Sequence, residues 1–124
     1  HDAARPCVLV ADIDKLLEYG LTAGGALLAA PLRDTLKRAA DDGCVLQTEP
    51  RDHRWRAMTP QFFRLGELLS ALEAAHQRGE PISDEAMAME MAGFRPLLVE
   101  GSESNIKVTT PADLVFAEFL FSRE

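Results

Sequence analysis

The chain has 124 residues, 47% of them hydrophobic and 27% charged, a balance that suits one small globular domain. Its longest apolar run, Gly24 to Leu32, falls far short of the roughly 20 residues a membrane-spanning helix needs, so no membrane partner is expected; no secretory signal stands at the start, though the sequence does not begin with Met. A formal net charge of −7 argues against nucleic acid as a general partner, because a phosphate backbone calls for a basic field.

In chain order, Asp12 to Tyr19 predicts a short helix capped by Asp12, with Ile13, Leu16 and Leu17 on one face. Gly24-Gly25 ends it. Ala26 to Ala30 is then continuously apolar, as expected of a strand buried on both faces. Periodicity alone does not separate strand from helix there; the glycine pair and Pro31 favour a strand. From Leu32 to about Trp55, charges, Gly43 and Pro50 interrupt two short stretches, Thr35 to Arg38 and Val45 to Thr48, which predicts a projecting hairpin or arm.

Phe62 to Gln77 predicts a helix whose core stripe is Leu65, Leu68, Leu69, Leu72 and Ala75. Gly79 and Pro81 close it, and Ser83 is expected to cap a further helix that carries Met87, Met89 and Met91 and ends near Gly93. Leu97 to Val99 and Ile106 to Val108 read as two more strands. Thr110-Pro111 opens the last helix, with Val115, Phe116, Phe119 and Leu120 as its expected buried face. Helices alternating with apolar strands indicate an α/β sheet. The two cysteines, Cys7 and Cys44, lack metal-ligand spacing and are expected to be reduced thiols of a cytoplasmic protein.

Charge is unevenly spread. Arg33 to Arg64 holds seven basic and five acidic residues, and the remainder six basic and fifteen acidic. A mildly basic island in an acidic chain suits a small phosphorylated ligand. Four segments offer chemistry: His1 to Pro6 (HDAARP), Arg33 to Arg38 after Ala29-Ala30-Pro31, Trp55 to Gln61 (WRAMTPQ), and Val99 to Gly101 followed by Asn105 to Thr109. In the last, Lys107 stands in an apolar stretch. A lysine at a strand end aimed into a cleft stabilises phosphate charge, and an edge-strand gatekeeper is the alternative use.

HDAARP, APLRDTLKR, MTPQ, the SDEA turn and EGSESNIKVTTPADL, in this order and spacing, make the chain resemble the 2-C-methyl-D-erythritol 4-phosphate cytidylyltransferases of non-mevalonate isoprenoid biosynthesis. The resemblance runs from His1 to the end. It implies the C-terminal portion of a Rossmann-like α/β nucleotidyltransferase sheet with a projecting β-arm at about 33–55. It further implies cytidylyl transfer from CTP to methylerythritol phosphate, a homodimer through the arm, and Mg²⁺ as cofactor.

Carried over by position, Lys107 stabilises the transferring group, Asp2 and Arg5 contact the methylerythritol moiety with Thr59 and Ser83, and Ala3 lies near the nucleotide sugar. Thr35 and Arg51 in the arm reach the substrate phosphate of the other subunit. The family position matching Ser83 is commonly Thr, which keeps the hydroxyl and adds a methyl. No protein metal ligand is expected, and His1, His53 and His76 are not expected to be catalytic.

The family also opens with a Gly-rich loop bearing Arg and Lys that cradles the CTP triphosphate. No segment here matches it, and the N-terminal CTP-binding portion is expected to be absent, leaving this polypeptide inactive alone. Two rival readings are a ribitol phosphate cytidylyltransferase and a non-catalytic dimerisation module.

Overall fold

The computed structural model describes residues 1–123. A continuous apolar segment organises it. β1 (Gly25–Pro31) is buried from Gly25 to Ala30 and forms the middle of a three-stranded sheet. On one side it pairs antiparallel with β4 (Trp55–Phe63), and on the other parallel with β5 (Leu97–Glu100). A central strand covered on both faces needs no polar alternation, and its run of small and branched apolar residues follows from that.

α1 (Val10–Ala23) lays Leu16 onto a core of Ala26, Leu28, Ala30, Met58 and Val99, with Val8 and Phe62 against it. Full burial of leucines such as Leu16 and Leu28 stabilises by about 1.5–3 kcal/mol each. α2 (Leu65–Arg78) and α3 (Glu85–Met91) form the second layer around Ala71, Ala88 and Met89, packed by Phe63, Leu68, Leu72 and Ile82. α4 (Pro111–Ser122) closes the described chain. Between β1 and β4 the arm is a hairpin of β2 (Leu36–Ala39) and β3 (Val45–Glu49), and β2 is exposed along its whole length. No helix among the described residues is long and apolar enough to cross a membrane.

Several expectations are corrected. The helix expected from Phe62 starts at Leu65, because Phe62 and Phe63 continue the β4 ladder opposite Ala26 and Gly25. Their rings lie over glycines: a Cβ on Gly20 would stand 2.6 Å from Phe62, and one on Gly25 2.8 Å from Phe63. β4 itself was hidden by Pro60, a residue that ordinarily argues against a strand. It is accommodated in a bulge, where Leu28 of β1 faces three residues of β4, Met58, Thr59 and Pro60.

The stripe on α2 is displaced along the helix. Leu68, Ala71, Leu72 and Ala75 face inward, whereas Leu65 is 80% and Leu69 53% exposed. Both sets have helical spacing, so periodicity could not choose between them. On α4 the expected face of Val115, Phe116, Phe119 and Leu120 is not buried; Ala117 alone is, and apolar residues surround this helix without a polar side to orient it. Asp12 does not cap α1, which starts after Leu9; its carboxylate accepts from the Ser102 amide instead. Ile106 to Val108 form no strand but an irregular segment, held by a Val108 N–H to Ala4 carbonyl bond of 2.8 Å. Thr110 caps α4 as expected, in a reciprocal box with Asp113, and Pro111 follows at the first helical position.

Candidate functional site

The site is built where the His1–Pro6 turn, the β4 bulge, the start of α3 and the segment after β5 meet. Asp2 shapes the turn. Its Oδ1 accepts from the Ala4 amide at 2.9 Å and its carbonyl from the Arg5 amide at 3.0 Å. Its own amide donates to Thr59 Oγ1 at 3.0 Å, which ties the turn to the bulge. His1 bridges the same two pieces: Nδ1 lies 3.0 Å from Thr59 Oγ1 and Nε2 3.0 Å from the Arg5 carbonyl. A carbonyl oxygen only accepts, so Nε2 carries a proton.

Two cations adjoin the turn. Lys107 Nζ stands 3.6 Å from Asp2 Oδ2, across more than a hundred residues of sequence. The Ala4 amide, and after it the Lys107 charge, hold the Asp2 carboxyl below its ordinary value. Arg5 directs Nη1 to the Asn105 carbonyl at 2.7 Å and Nη2 to the Ala57 carbonyl at 3.4 Å. Partial burial pushes its guanidinium down from the usual arginine value, opposed by Asp2.

A cleft of about 490 Å³ opens beside these groups, lined by His1, Asp2, Thr59, Gln61, Ser83 and Glu85 among others. Gln61 fixes its floor to α3: Nε2 donates to Asp84 Oδ2 at 3.0 Å, and Oε1 accepts from the Ala86 amide at 2.9 Å. Asp84, not Ser83, caps α3, accepting from the Met87 amide at 2.8 Å. Relieved of that task, the Ser83 hydroxyl is exposed and lies 3.6 Å from the Met87 sulfur.

Of the residues expected from sequence, Asp2, Thr59 and Ser83 share the cleft, and Lys107 and Arg5 join it through Asp2 and the adjoining loop. Ala3 is exposed on the turn. Thr35 and Arg51 lie at the arm, outside the cleft; Arg51 donates to the Arg33 carbonyl at the arm's base. The arm is also pinned by Arg33 to Glu103 at 2.6 Å, and that carboxylate raises the Arg33 value. Sequence reasoning missed Gln61, Asp84 and Asn105. For Asp84 a signal existed, since Ser and Asp are comparable caps; for Asn105, set among Ser102 and Ser104, a loop was the natural reading. A smaller hollow of about 30 Å³ beside Gly24, Gly25 and Phe94 holds none of the expected residues.

Residues 1–123 match the family described as IspD: 2-C-methyl-D-erythritol 4-phosphate cytidylyltransferase. The chain belongs to this family. It is 61% identical over 124 residues to the 2-C-methyl-D-erythritol 4-phosphate cytidylyltransferase of Stenotrophomonas maltophilia strain K279a, covering 99% of this chain and 53% of that protein. To the enzyme of the same name from Xanthomonas oryzae pv. oryzae strain PXO99A it is 59% identical, covering 99% of this chain and 46% of the relative. The fold agrees with the crystal structure of the Francisella tularensis cytidylyltransferase at a TM-score of 0.90 and 39% identity, over 97% of this chain and 57% of that one. The cytidylyltransferase of Thermus thermophilus gives 0.89 and 34%, over 97% and 59%. The chain thus spans about half the length of the curated relatives it matches. The sheet, the turn with Asp2 and Arg5, and the Lys107 segment all fall within the part that matches this cytidylyltransferase family.

Proposed function

We propose that this chain forms the acceptor side of a site that transfers a cytidylyl group from CTP to 2-C-methyl-D-erythritol 4-phosphate, in the non-mevalonate route to isoprenoids. The observation that carries the reading is the Asp2–Lys107 pair beside a cleft that also holds Thr59 and Ser83. Carboxylate, hydroxyl and amide groups suit an acceptor rich in hydroxyls, and a cation at the margin suits its phosphate.

The chemistry asks little more of these residues. A phosphate monoester with a second pKa near about 6 is largely dianionic at neutral pH, so its oxygen attacks the α-phosphorus of CTP without a protein base. The new P–O bond forms as the bond to the β-phosphate oxygen breaks, and pyrophosphate leaves. Lys107 balances the charge that builds on the α-phosphate oxygens. Asp2 and Arg5 orient the methylerythritol end with Thr59 and Ser83, and Ala3 lies by the nucleotide sugar. Thr35 and Arg51 of a second subunit's arm would complete the phosphate subsite in a homodimer, a role suited to a hairpin exposed along β2 and along β3 as far as Thr48.

The reaction class calls for Mg²⁺, but the donor set here does not fit a resident cation. No three metal-ligating side chains converge among the described residues, and Asp2 already accepts from Ala4 and faces Lys107. The exposed thiol of Cys44 suits a reducing compartment, and a cytoplasmic location is part of the proposal. The Gly-rich triphosphate loop of the family has no counterpart in these 124 residues, and the polypeptide by itself is expected not to release pyrophosphate from CTP.

Lys107→Ala in the protein at its native length tests the reading. Removing one preorganised charge should lower kcat about 10²–10³-fold, measured as pyrophosphate release with methylerythritol phosphate as acceptor. Ribitol phosphate serves as the control acceptor. Wild-type turnover in the Lys107→Ala protein, or a preference for ribitol phosphate, would overturn it.

A further inference from the structure

Asn105 is 1% exposed, the buried polar side chain of the described core, and the reaction as derived above does not use it. It faces two parts of the site at once. Its Nδ2 donates to the Thr59 carbonyl at 2.8 Å. That carbonyl belongs to the bulge, where Thr59 has no register partner on β1, so the amide replaces a missing rung of the sheet. Its backbone carbonyl accepts from Arg5 Nη1 at 2.7 Å.

These bonds close a ring. Thr59 Oγ1 receives the Asp2 amide, Asp2 pairs with Lys107, and Lys107 is two residues along the chain from Asn105, which returns to Thr59. Arg5 crosses the ring as a chord, and the Val108 amide to Ala4 carbonyl bond closes it from outside. Stability alone does not call for an amide at its centre. Among the described residues nothing hydrogen-bonds the buried Asn105 Oδ1, and a half-satisfied polar group stabilises less than an apolar one of like size.

We infer that Asn105 is a positioning residue, which sets the spacing between Thr59 on β4 and the Asp2–Lys107 pair and thereby holds the acceptor-recognising groups in one geometry. The inference rests on the acceptor-site reading above. Asn105 is buried and does not line the cleft. It acts through the Thr59 carbonyl and the loop that carries Lys107.

Two variants in the native-length protein test this. Asn105→Leu keeps the volume and removes the donor. It should unfold cooperatively, raise the KM for methylerythritol phosphate about tenfold, leave the KM for CTP within about twofold, and speed hydrogen exchange at the Asp2 amide. Asn105→Asp keeps the shape but turns an acceptor toward the Thr59 carbonyl when ionised. Protonated, the introduced carboxyl donates as the amide does, so its acceptor KM, taken relative to wild type at each pH, should fall toward wild type as pH is lowered. This second variant carries the test should Asn105→Leu not fold. An acceptor KM unchanged in folded Asn105→Leu, an equal rise in both KM values, or an Asn105→Asp ratio that stays raised and flat as pH is lowered would overturn the assignment. Should wild type not use methylerythritol phosphate, the functional reading fails alone, and Asp2 amide exchange still decides: faster in Asn105→Leu supports the positioning role, unchanged refutes it.

Discussion

Replacing Arg5 measures what its two carbonyl contacts contribute to the fold. Its Nη1 bond to the Asn105 carbonyl is short at 2.7 Å, whereas the Nη2 contact with the Ala57 carbonyl, at 3.4 Å, is at the limit of a useful bond. A charged donor on a shielded carbonyl contributes about 1.5–3 kcal/mol. Arg5 is only half-buried, and solvent trims this toward about 1–2 kcal/mol. Arg5→Ala loses that bond and the packing of the stem, for a cost of about 2 kcal/mol. An ammonium reaches one carbonyl but does not span two, so Arg5→Lys should cost about half as much. Urea unfolding without ligand, analysed at a common m-value, reads the difference. An Arg5→Ala midpoint equal to wild type would refute the reasoning. A loss in Arg5→Lys as large as in Arg5→Ala would show that fork geometry alone, and not charge, holds the loop.

Three further outcomes are expected. Gly20→Ala should destabilise by about 1–3 kcal/mol by calorimetry, because the added methyl meets Phe62 at 2.6 Å; a rise in Tm would mean that alanine's helix preference outweighs the clash. Thr110→Ala should cost about 1 kcal/mol and Thr110→Ser little, read from urea midpoints, since the hydroxyl accepts the Asp113 amide. For Asp2, the folded carboxyl lies below its ordinary 3.8, so its stabilising contribution is present above that pH and is lost as pH falls through the folded value. Asp2→Asn should therefore flatten the acid limb of stability between about pH 5 and about pH 2. An unaltered limb would count against the Ala4 and Lys107 interactions.

How far the sequence could be read follows from where local pattern and tertiary pairing agree. Ala26 to Ala30 is apolar on both faces because it is covered on both faces, and the capping of α4 by Thr110 is a local bond that needs no partner element. β4 was illegible because its diagnostic features are non-local. Phe62 and Phe63 look like the start of a helix until Gly20 and Gly25 are seen beneath them, and Pro60 looks like a break until the bulge makes room for it. In the candidate site, Asp2, Thr59, Ser83 and Lys107 were named from motifs, whereas Gln61 and Asn105, which stand in two of the same motifs, were given no role. Their work lies in joining segments distant in sequence, and a side chain's long-range partner leaves no periodic trace along the chain.

The arm leaves and re-enters the sheet at facing rungs. Pro31 is paired with Trp55, and the Leu32 amide donates to the Arg54 carbonyl at 2.9 Å immediately beyond. The excursion is therefore an insertion into an otherwise ordinary hairpin, its neck already tied by the strands on either side. Closing a longer insertion at such a neck costs only about 0.6 kcal/mol for each doubling of its length. The arm's length can thus change while the register of β1 on β4 stays fixed. A change beyond the neck leaves the pairing that folds the domain untouched.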